Sequence, residues 1–358
     1  WLLFFVGMAQ GSEKSPICDQ LDNIEFKIND IFDLDDPEVI FVHHWANALH
    51  NKSKEITLIN ESAFFLSKCD ISEDDLQELE RFLRQRKFIR DASVKINKQG
   101  KIVVETWDNC SLTPTLEFGR KGGINKYAIG IKERNLIGLG IDADLEYFSN
   151  DQRTGYKFDT QFPLFLKQNI VGSFRFTSNS DGSSQAAFLQ KNFASFDTKY
   201  AFAFGIDNFN QIDTQFQNGV DIAQYNHDKS LTTVDYKWLY EDRIDATLRL
   251  GIGFTKETHT FSEVKTPILE ISRFLPRDRR RQYPFMTFEY IEKDFKKLSN
   301  VKLINQIEDF NMGWQFNALV GRDFSSHELS PDLILRSFAS KGFQTSTSGY
   351  LFFDAGFD

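Results

Sequence analysis

The sequence predicts a mainly β protein: an antiparallel β-barrel of the membrane type, incomplete within this stretch, preceded by a small α+β domain. Three observations predict it. From about residue 112 onward, apolar and polar residues alternate in run after run, each bounded by turn-forming residues. No internal run approaches the eighteen or so apolar residues that a membrane-spanning helix needs, so any crossing must be made by strands of about 9–11 residues. The aromatic fraction of 15% is carried mostly by 37 Phe, against 5 Trp and 10 Tyr, and this Phe recurs on one side of the alternating runs.

Trp1 to Ala9 reads as the apolar part of a secretory signal, with Gly7-Met8-Ala9 giving the small-x-small pattern ahead of cleavage. The domain expected over 20–110 begins with a loosely alternating strand from Ile24 to Phe32. Asp36-Pro37 then supplies a helix start, and Val39, Ile40, His43, Ala46 and Leu49 recur at helical spacing, predicting an amphipathic helix over Pro37–His50. Ser72-Glu73-Asp74-Asp75 has the capping-box pattern, and Leu76, Leu79, Phe82 and Leu83 line one face of the helix that follows. Ala92, Val94 and Ile96, and then Ile102 to Trp107, make two strands joined by a turn at Gln99-Gly100. Strand, helix, helix, strand, strand makes a small sheet with helices on one face.

The barrel is expected over 111–358. Its alternating sets include Leu112, Pro114, Leu116 and Phe118; Tyr127, Ile129 and Ile131; Tyr156, Phe158 and Phe162; Phe202, Phe204 and Ile206; and Leu248, Leu250, Ile252 and Phe254. The opposite positions are polar, charged or Gly. A soluble sandwich shares that alternation, but the secretory start, the Phe-rich face and aromatics near strand ends (Tyr127, Tyr147, Tyr156, Tyr200, Trp238, Tyr240) favour a wall with lipid outside. The stretch holds about a dozen strands at roughly 20 residues per strand and connection. Arg277 to Gln282 is expected in a long solvated loop. The final run, Phe352 to Asp358, reads as a strand without its partner, and a barrel lacking its last strands is not expected to insert stably alone.

A net charge of −9 disfavours nucleic acid as a partner. No Gly-x-Ser-x-Gly elbow is present and no Ser, His and acid stand in suggestive order, so no catalytic residues and no cofactor are assigned. His43-His44 with His50 lacks a ligand spacing, and no metal is expected. Cys18, Cys69 and Cys110 have no metal spacing either; of the possible bridges Cys69 with Cys110 is preferred, with unpaired thiols as the open alternative. Ser15-Pro16-Ile17 ahead of Cys18 lacks the pattern of a lipid-anchor site.

Phe82 to Gly140 carries a resemblance. Arg81-Phe82-Leu83-Arg84 and Phe88-Ile89-Arg90-Asp91-Ala92-Ser93-Val94 resemble the last helix and strand of a POTRA module. Trp107-Asp108, Leu112-Thr113-Pro114, Gly122-Gly123 and Asn135-Leu136-Ile137-Gly138-Leu139-Gly140 are similar to the entry into the barrel of BamA/TamA-like outer-membrane proteins, as are Phe196-Asp197-Thr198 and Tyr283-Pro284-Phe285. The resemblance implies a protein of the Gram-negative outer membrane, with its first domain in the periplasm, that inserts or translocates unfolded or secreted polypeptide clients, with periplasmic accessory proteins as further partners. It implies a client-pairing edge at Ile24, Phe26 and Ile28, and a lateral seam on the first barrel strand at Leu112, Pro114, Leu116 and Phe118. Two departures stand against the central assembly factor: one POTRA-like unit instead of several, and no Arg-Gly-Phe-type loop motif, for which Val320-Gly321-Arg322-Asp323-Phe324 is no substitute. The alternative is a passive, porin-like or structural barrel.

Overall fold

The computed structural model describes residues 23–358 apart from 36, 38, 122, 167, 219, 265–274, 302–306, 326–332 and 348. The expected signal segment lies outside the described residues. A small three-stranded sheet comes first. It consists of β1 (Ile24–Asn29), β2 (Ile89–Ile96) and β3 (Ile102–Asp108) in the order β1-β3-β2, with β1 parallel and β2 antiparallel to β3. Gly100 takes the positive φ of +79° that the predicted turn requires.

Four helices lie between β1 and β2: α1 (Phe41–Leu49), α2 (Glu55–Glu61), α3 (Ala63–Leu66) and α4 (Glu73–Arg84). Helix α4 starts as predicted. Ser72 Oγ accepts from the Asp75 amide at 3.2 Å while the Asp75 carboxylate accepts from the Ser72 amide at 2.8 Å. Its Leu76, Leu79 and Leu83 pack with Leu58, Phe65, Phe88, Ile89, Val94 and Val104 in the module's core. The helices covering the sheet are therefore α2, α3 and α4, of which the sequence pattern predicts only α4. Glu55 to Leu66 is broken at Ser62 into pieces of seven and four residues, too short for either to show a helical period of its own.

The helix expected over Pro37–His50 is shorter, with Ile40 as N-cap; Pro37 lies in a turn before it, and Asp36 falls outside the described residues. Its apolar side faces away from the protein. His43 stacks on Phe32 at 4.3 Å and Asn47 exchanges hydrogen bonds with the Phe32 backbone, so Phe41, Val42, Trp45 and Leu49 are left exposed. Polar contacts to one aromatic residue, rather than apolar burial, set the orientation of α1.

The remaining strands, apart from one hairpin, form a single antiparallel sheet of 13. They are β4 (Leu112–Lys121), β5 (Ile124–Leu136), β6 (Ile141–Ser149), β7 (Thr154–Leu164), β8 (Ile170–Asn179), β9 (Gly182–Lys191), β10 (Tyr200–Gln217), β11 (Val220–Asp242), β12 (Ala246–Glu263), β13 (Arg279–Glu292), β16 (Gln315–Arg322), β17 (Leu333–Gln344) and β18 (Tyr350–Phe357). The hairpin of β14 (Phe295–Ser299) and β15 (Ile307–Asn311) is inserted between β13 and β16. Neighbours follow chain order, and β4 and β18 form the two edges, so among the described residues the barrel-type sheet is not closed. Arg279, Arg280 and Arg281, expected in a loop, begin β13 and pair with β12 opposite His259, Thr258 and Glu257. Strand pairing extends past the apolar part of the sequence and takes these charges into the ladder.

The alternation resolves into two chemically distinct faces. One carries Leu116, Ile129, Leu145, Phe158, Phe174, Phe204, Val234, Ile252, Met286 and Val320, all exposed. Tyr127, Tyr147 and Tyr156 form a row at one end of this belt, with ring centroids 6.1 and 5.0 Å apart. Tyr200, Tyr236 and Trp238 form a second row at the opposite end, where the chain enters β10. The other face is polar and ion-paired: Asp159 with Lys157 at 2.9 Å and Arg175 at 2.5 Å, Lys229 with Asp207 at 2.9 Å, and Arg249 with Glu289 at 2.7 Å. An apolar outside with aromatic girdles and a paired polar inside is the pattern of a strand wall that meets lipid.

Candidate functional site: the junction of the small module and the sheet

Two ends of the large sheet can be distinguished. At the near end the chain passes from β3 into β4, and the turns β5–β6, β7–β8, β9–β10 and β13–β16 return to that same end. The small module is seated on these turns. Gly138 in the β5–β6 turn accepts from the Lys54 amide at 2.9 Å and from Thr57 Oγ1 at 2.8 Å, at the start of α2. Asn135 donates to the Asn51 carbonyl at 2.8 Å and to Ser53 Oγ at 2.9 Å. Asn169, between β7 and β8, donates to the Glu61 carbonyl at 3.0 Å.

In the β9–β10 turn the Phe196 amide donates to Glu78 of α4 at 2.7 Å, and Asp197 pairs with Lys68 at 3.0 Å. Burial opposes the charges of Lys68, Asp75 and Asp197, but their hydrogen bonds and mutual attraction outweigh it; Lys68 is held above the usual lysine range and both aspartates below the usual carboxylate range. Burial pushes the Glu78 carboxyl up, and the Phe196 amide only partly counters it.

The β14–β15 hairpin closes the far side of α4. Arg84 grips Asp309 with two parallel bonds of 2.8 and 2.9 Å, and both side chains are nearly fully buried. Arg81 lies over the Phe295 ring at 4.4 Å and the Phe196 ring at 5.9 Å. Lys297 adds an ion pair to Glu80.

At the entry into β4 the structure brings together three residues that sequence order did not suggest. His50 Nε2 lies 2.9 Å from Asp108 Oδ2, and His50 Nδ1 lies 3.3 Å from Ser111 Oγ. The connectivity is that of an acid–imidazole–hydroxyl relay. Asp108 and Ser111 are fully buried, however, which denies a substrate the approach that a nucleophile needs. The Ser53 amide also donates to Asp108, at 2.7 Å, so the group ties α1, α2 and β3 to the first strand of the sheet.

The proposed edge residues fall as follows. Ile24, Phe26 and Ile28 lie on β1, an edge of the three-stranded sheet, with side chains packed against the module's core, so the backbone and not these side chains forms the open edge. Leu112, Pro114, Leu116 and Phe118 lie on β4, an edge of the 13-stranded sheet, and Leu116 and Phe118 are 80% and 75% exposed. The preferred cysteine pairing is overturned. Cys69 is disulfide-bonded, whereas Cys110 is free and exposed at the β3–β4 connection, its thiol 3.5 Å from the Leu112 carbonyl. Among the described residues no group of three or more His, Cys, Asp or Glu side chains is arranged to hold a metal ion, and no helix is long and apolar enough to cross a membrane.

Fold and junction together define a class: an antiparallel barrel-type sheet with an apolar exterior, carrying a helix-covered three-stranded module latched to its near-end turns. Solved structures similar to the chain include BamA from Haemophilus ducreyi lacking POTRA domains 1-3, at 12% identity and a TM-score of 0.31, over 85% of this chain and 53% of that one. They also include CdiB from Acinetobacter baumannii, at 14% identity and a TM-score of 0.33, over 91% of this chain and 66% of that one. The chain thus spans about half the length of the BamA structure, and a likeness at these scores carries no argument about activity. No family model and no curated protein matches the chain.

Proposed function

We propose that this chain belongs to an outer-membrane barrel protein of the polypeptide insertion or translocation class, with the small module on the periplasmic side. The membrane part of this reading is supported by the exposed apolar belt between two aromatic rows, since a belt of this kind gains by meeting lipid and not water. The client-handling part rests on one observation: β1 and β4, the strands on either side of the junction, each pair on one side only among the described residues. An edge strand offers unpaired N–H and C=O groups to an extended segment, and pairing there recognises a client without reading its side chains. In this reading β1 receives a client in the periplasm, and β4 with Leu112, Pro114, Leu116 and Phe118 forms a seam through which it reaches lipid.

Photo-crosslinkers at Lys27 on β1 and Glu117 on β4, in the full-length protein in its own membrane, test this. Adducts with newly made outer-membrane or secreted polypeptides are expected at both positions, alongside a gel-mobility shift on boiling. A shift without adducts would leave a passive barrel. No shift, with the protein in the soluble periplasmic fraction, would sink the barrel as well.

A further inference from the structure

Strands β10, β11 and β12 run well past the apolar belt. Beyond Val234 the outer face of β11 turns to Thr232, Ser230, Asp228 and Asn226, so the far parts of these strands stand outside lipid. On the polar face there, four side chains form one continuous row. Asp213 Oδ2 lies 2.7 Å from His227 Nδ1, His227 Nε2 lies 2.8 Å from His259 Nδ1, and His259 Nε2 lies 3.0 Å from Glu257 Oε1.

Three contacts require three protons, and two neutral imidazoles with two carboxylates supply only two. If each carboxylate takes the N–H of its own imidazole, the two remaining nitrogens direct bare lone pairs at each other across 2.8 Å. That arrangement calls for a cation between the rings. We propose that His227 Nε2 and His259 Nδ1 are the two protein ligands of a divalent transition-metal site, with water completing the shell.

Geometry and surroundings favour a metal over a lone proton. Tetrahedral coordination with metal–nitrogen bonds of ~2.0–2.1 Å places two nitrogens about 3.3 Å apart. The rings need part by only about half an ångström, which is within side-chain adjustment. Each ligand ring is braced from behind by a carboxylate, the support that metal-bound histidines generally have. His227 is further fixed by Phe261 stacked at 4.4 Å and the edge of Phe209 at 4.8 Å. The charged neighbours include Arg153, 3.8 Å from Asp213; Lys229, paired with Asp207; Arg279 and Arg281, opposite His259 and Glu257 on β13; and Arg336, whose charge acts on Glu257. Two imidazoles suit Zn²⁺, Ni²⁺ or Cu²⁺ and not Mg²⁺ or Ca²⁺. On binding, the metal takes the place of any proton held between the rings, and that proton passes to buffer.

The test is calorimetric titration of the full-length protein, purified in detergent from its own membrane, with ZnCl₂ in two buffers of different ionisation enthalpy. One Zn²⁺ per chain is expected, with any displaced proton read from the difference between the two buffers. His259→Gln keeps a hydrogen-bonding side chain but no imidazole and is expected to abolish binding, as is His227→Ala. Asp213→Asn is expected to weaken it by about 10–100-fold. The shift on boiling shows that each variant is folded. Absence of saturable binding in the wild type, or binding retained in both folded histidine variants, overturns the proposal.

Discussion

Replacing Asp309 by Ala removes one partner of the buried Arg84–Asp309 pair, in which the side chains are 2% and 4% exposed. Taking one member from such a pair costs about 3–5 kcal/mol, because the other charge stays buried without its partner. Arg84 keeps Glu80 at 2.6 Å and the Ala92 carbonyl at 3.1 Å, which places the loss at the lower end, about 3 kcal/mol. At 1.36 kcal/mol per tenfold change, the β14–β15 hairpin should then detach from α4 about 150-fold more often. Native-state hydrogen exchange of the β15 amides reads this directly. Lys297→Ala removes a half-exposed pair to Glu80 and should change the same exchange by less than about 1 kcal/mol. Replacing both partners, Arg84→Met with Asp309→Leu, should return exchange to within about 1 kcal/mol of wild type. An Asp309→Ala effect of under about fivefold, or one no larger than that of Lys297→Ala, would refute the view that this pair latches the hairpin.

Glu78 has its carboxyl pushed above its usual 4.5 by burial, so its contribution is most favourable below pH 4.5 and is lost as pH rises through the folded value. Glu78→Gln should therefore raise the melting temperature at pH 7 and leave it nearly unchanged at pH 4, as thermal scans at the two pH values would show. Asp197 has the opposite sign: against burial, the Ser195 hydroxyl and then Lys68 hold it below 3.8, so it stabilises above pH 3.8 and loses that as pH falls, and Asp197→Asn should flatten the acid limb of the stability curve. Gly138 sits at φ +75°, and a Cβ there would run into the Lys52 carbonyl; Gly138→Ala should cost about 1–3 kcal/mol and open the α2 contact to limited proteolysis. On the apolar belt, Phe204→Arg, midway along the belt on β10, should cost about 2–4 kcal/mol and Thr258→Arg, beyond the belt on β12, about 0–1, measured by folding into bilayers.

Much of the wall was legible in sequence. Alternation has a period of two whatever the partner strand, so Tyr127, Phe204 and Ile252 were assignable to one face before any pairing was known. The α4 start was legible because Ser72 and Asp75 act locally on each other. What failed was decided elsewhere in the fold. The spacing of Val39, Ile40, Ala46 and Leu49 marks an apolar side of α1 but not what it meets, and Phe32 takes His43 and Asn47 instead. The α2–α3 pair has little helical period of its own and is held by Gly138 and the module's core. Cys110 stands beside the module in sequence, as a partner of Cys69 would, yet it is free.

The sequence by itself determined the alternating faces of the strands, the aromatic ends of the wall and the cap of α4, because these depend on interactions within a few residues; the β14–β15 hairpin and the start of β13 at Arg279 are not legible there. Tertiary structure alone decided the register. Only the pairing of β11 with β12 puts His227 beside His259, 32 positions on; only the fold sets Arg84 against Asp309, 225 positions apart, or closes His50, Asp108 and Ser111 into one buried group. A strand slipped by one residue keeps much of its composition and reverses every face, so such meetings are fixed by the summed pairing of the sheet and leave no local mark in the chain.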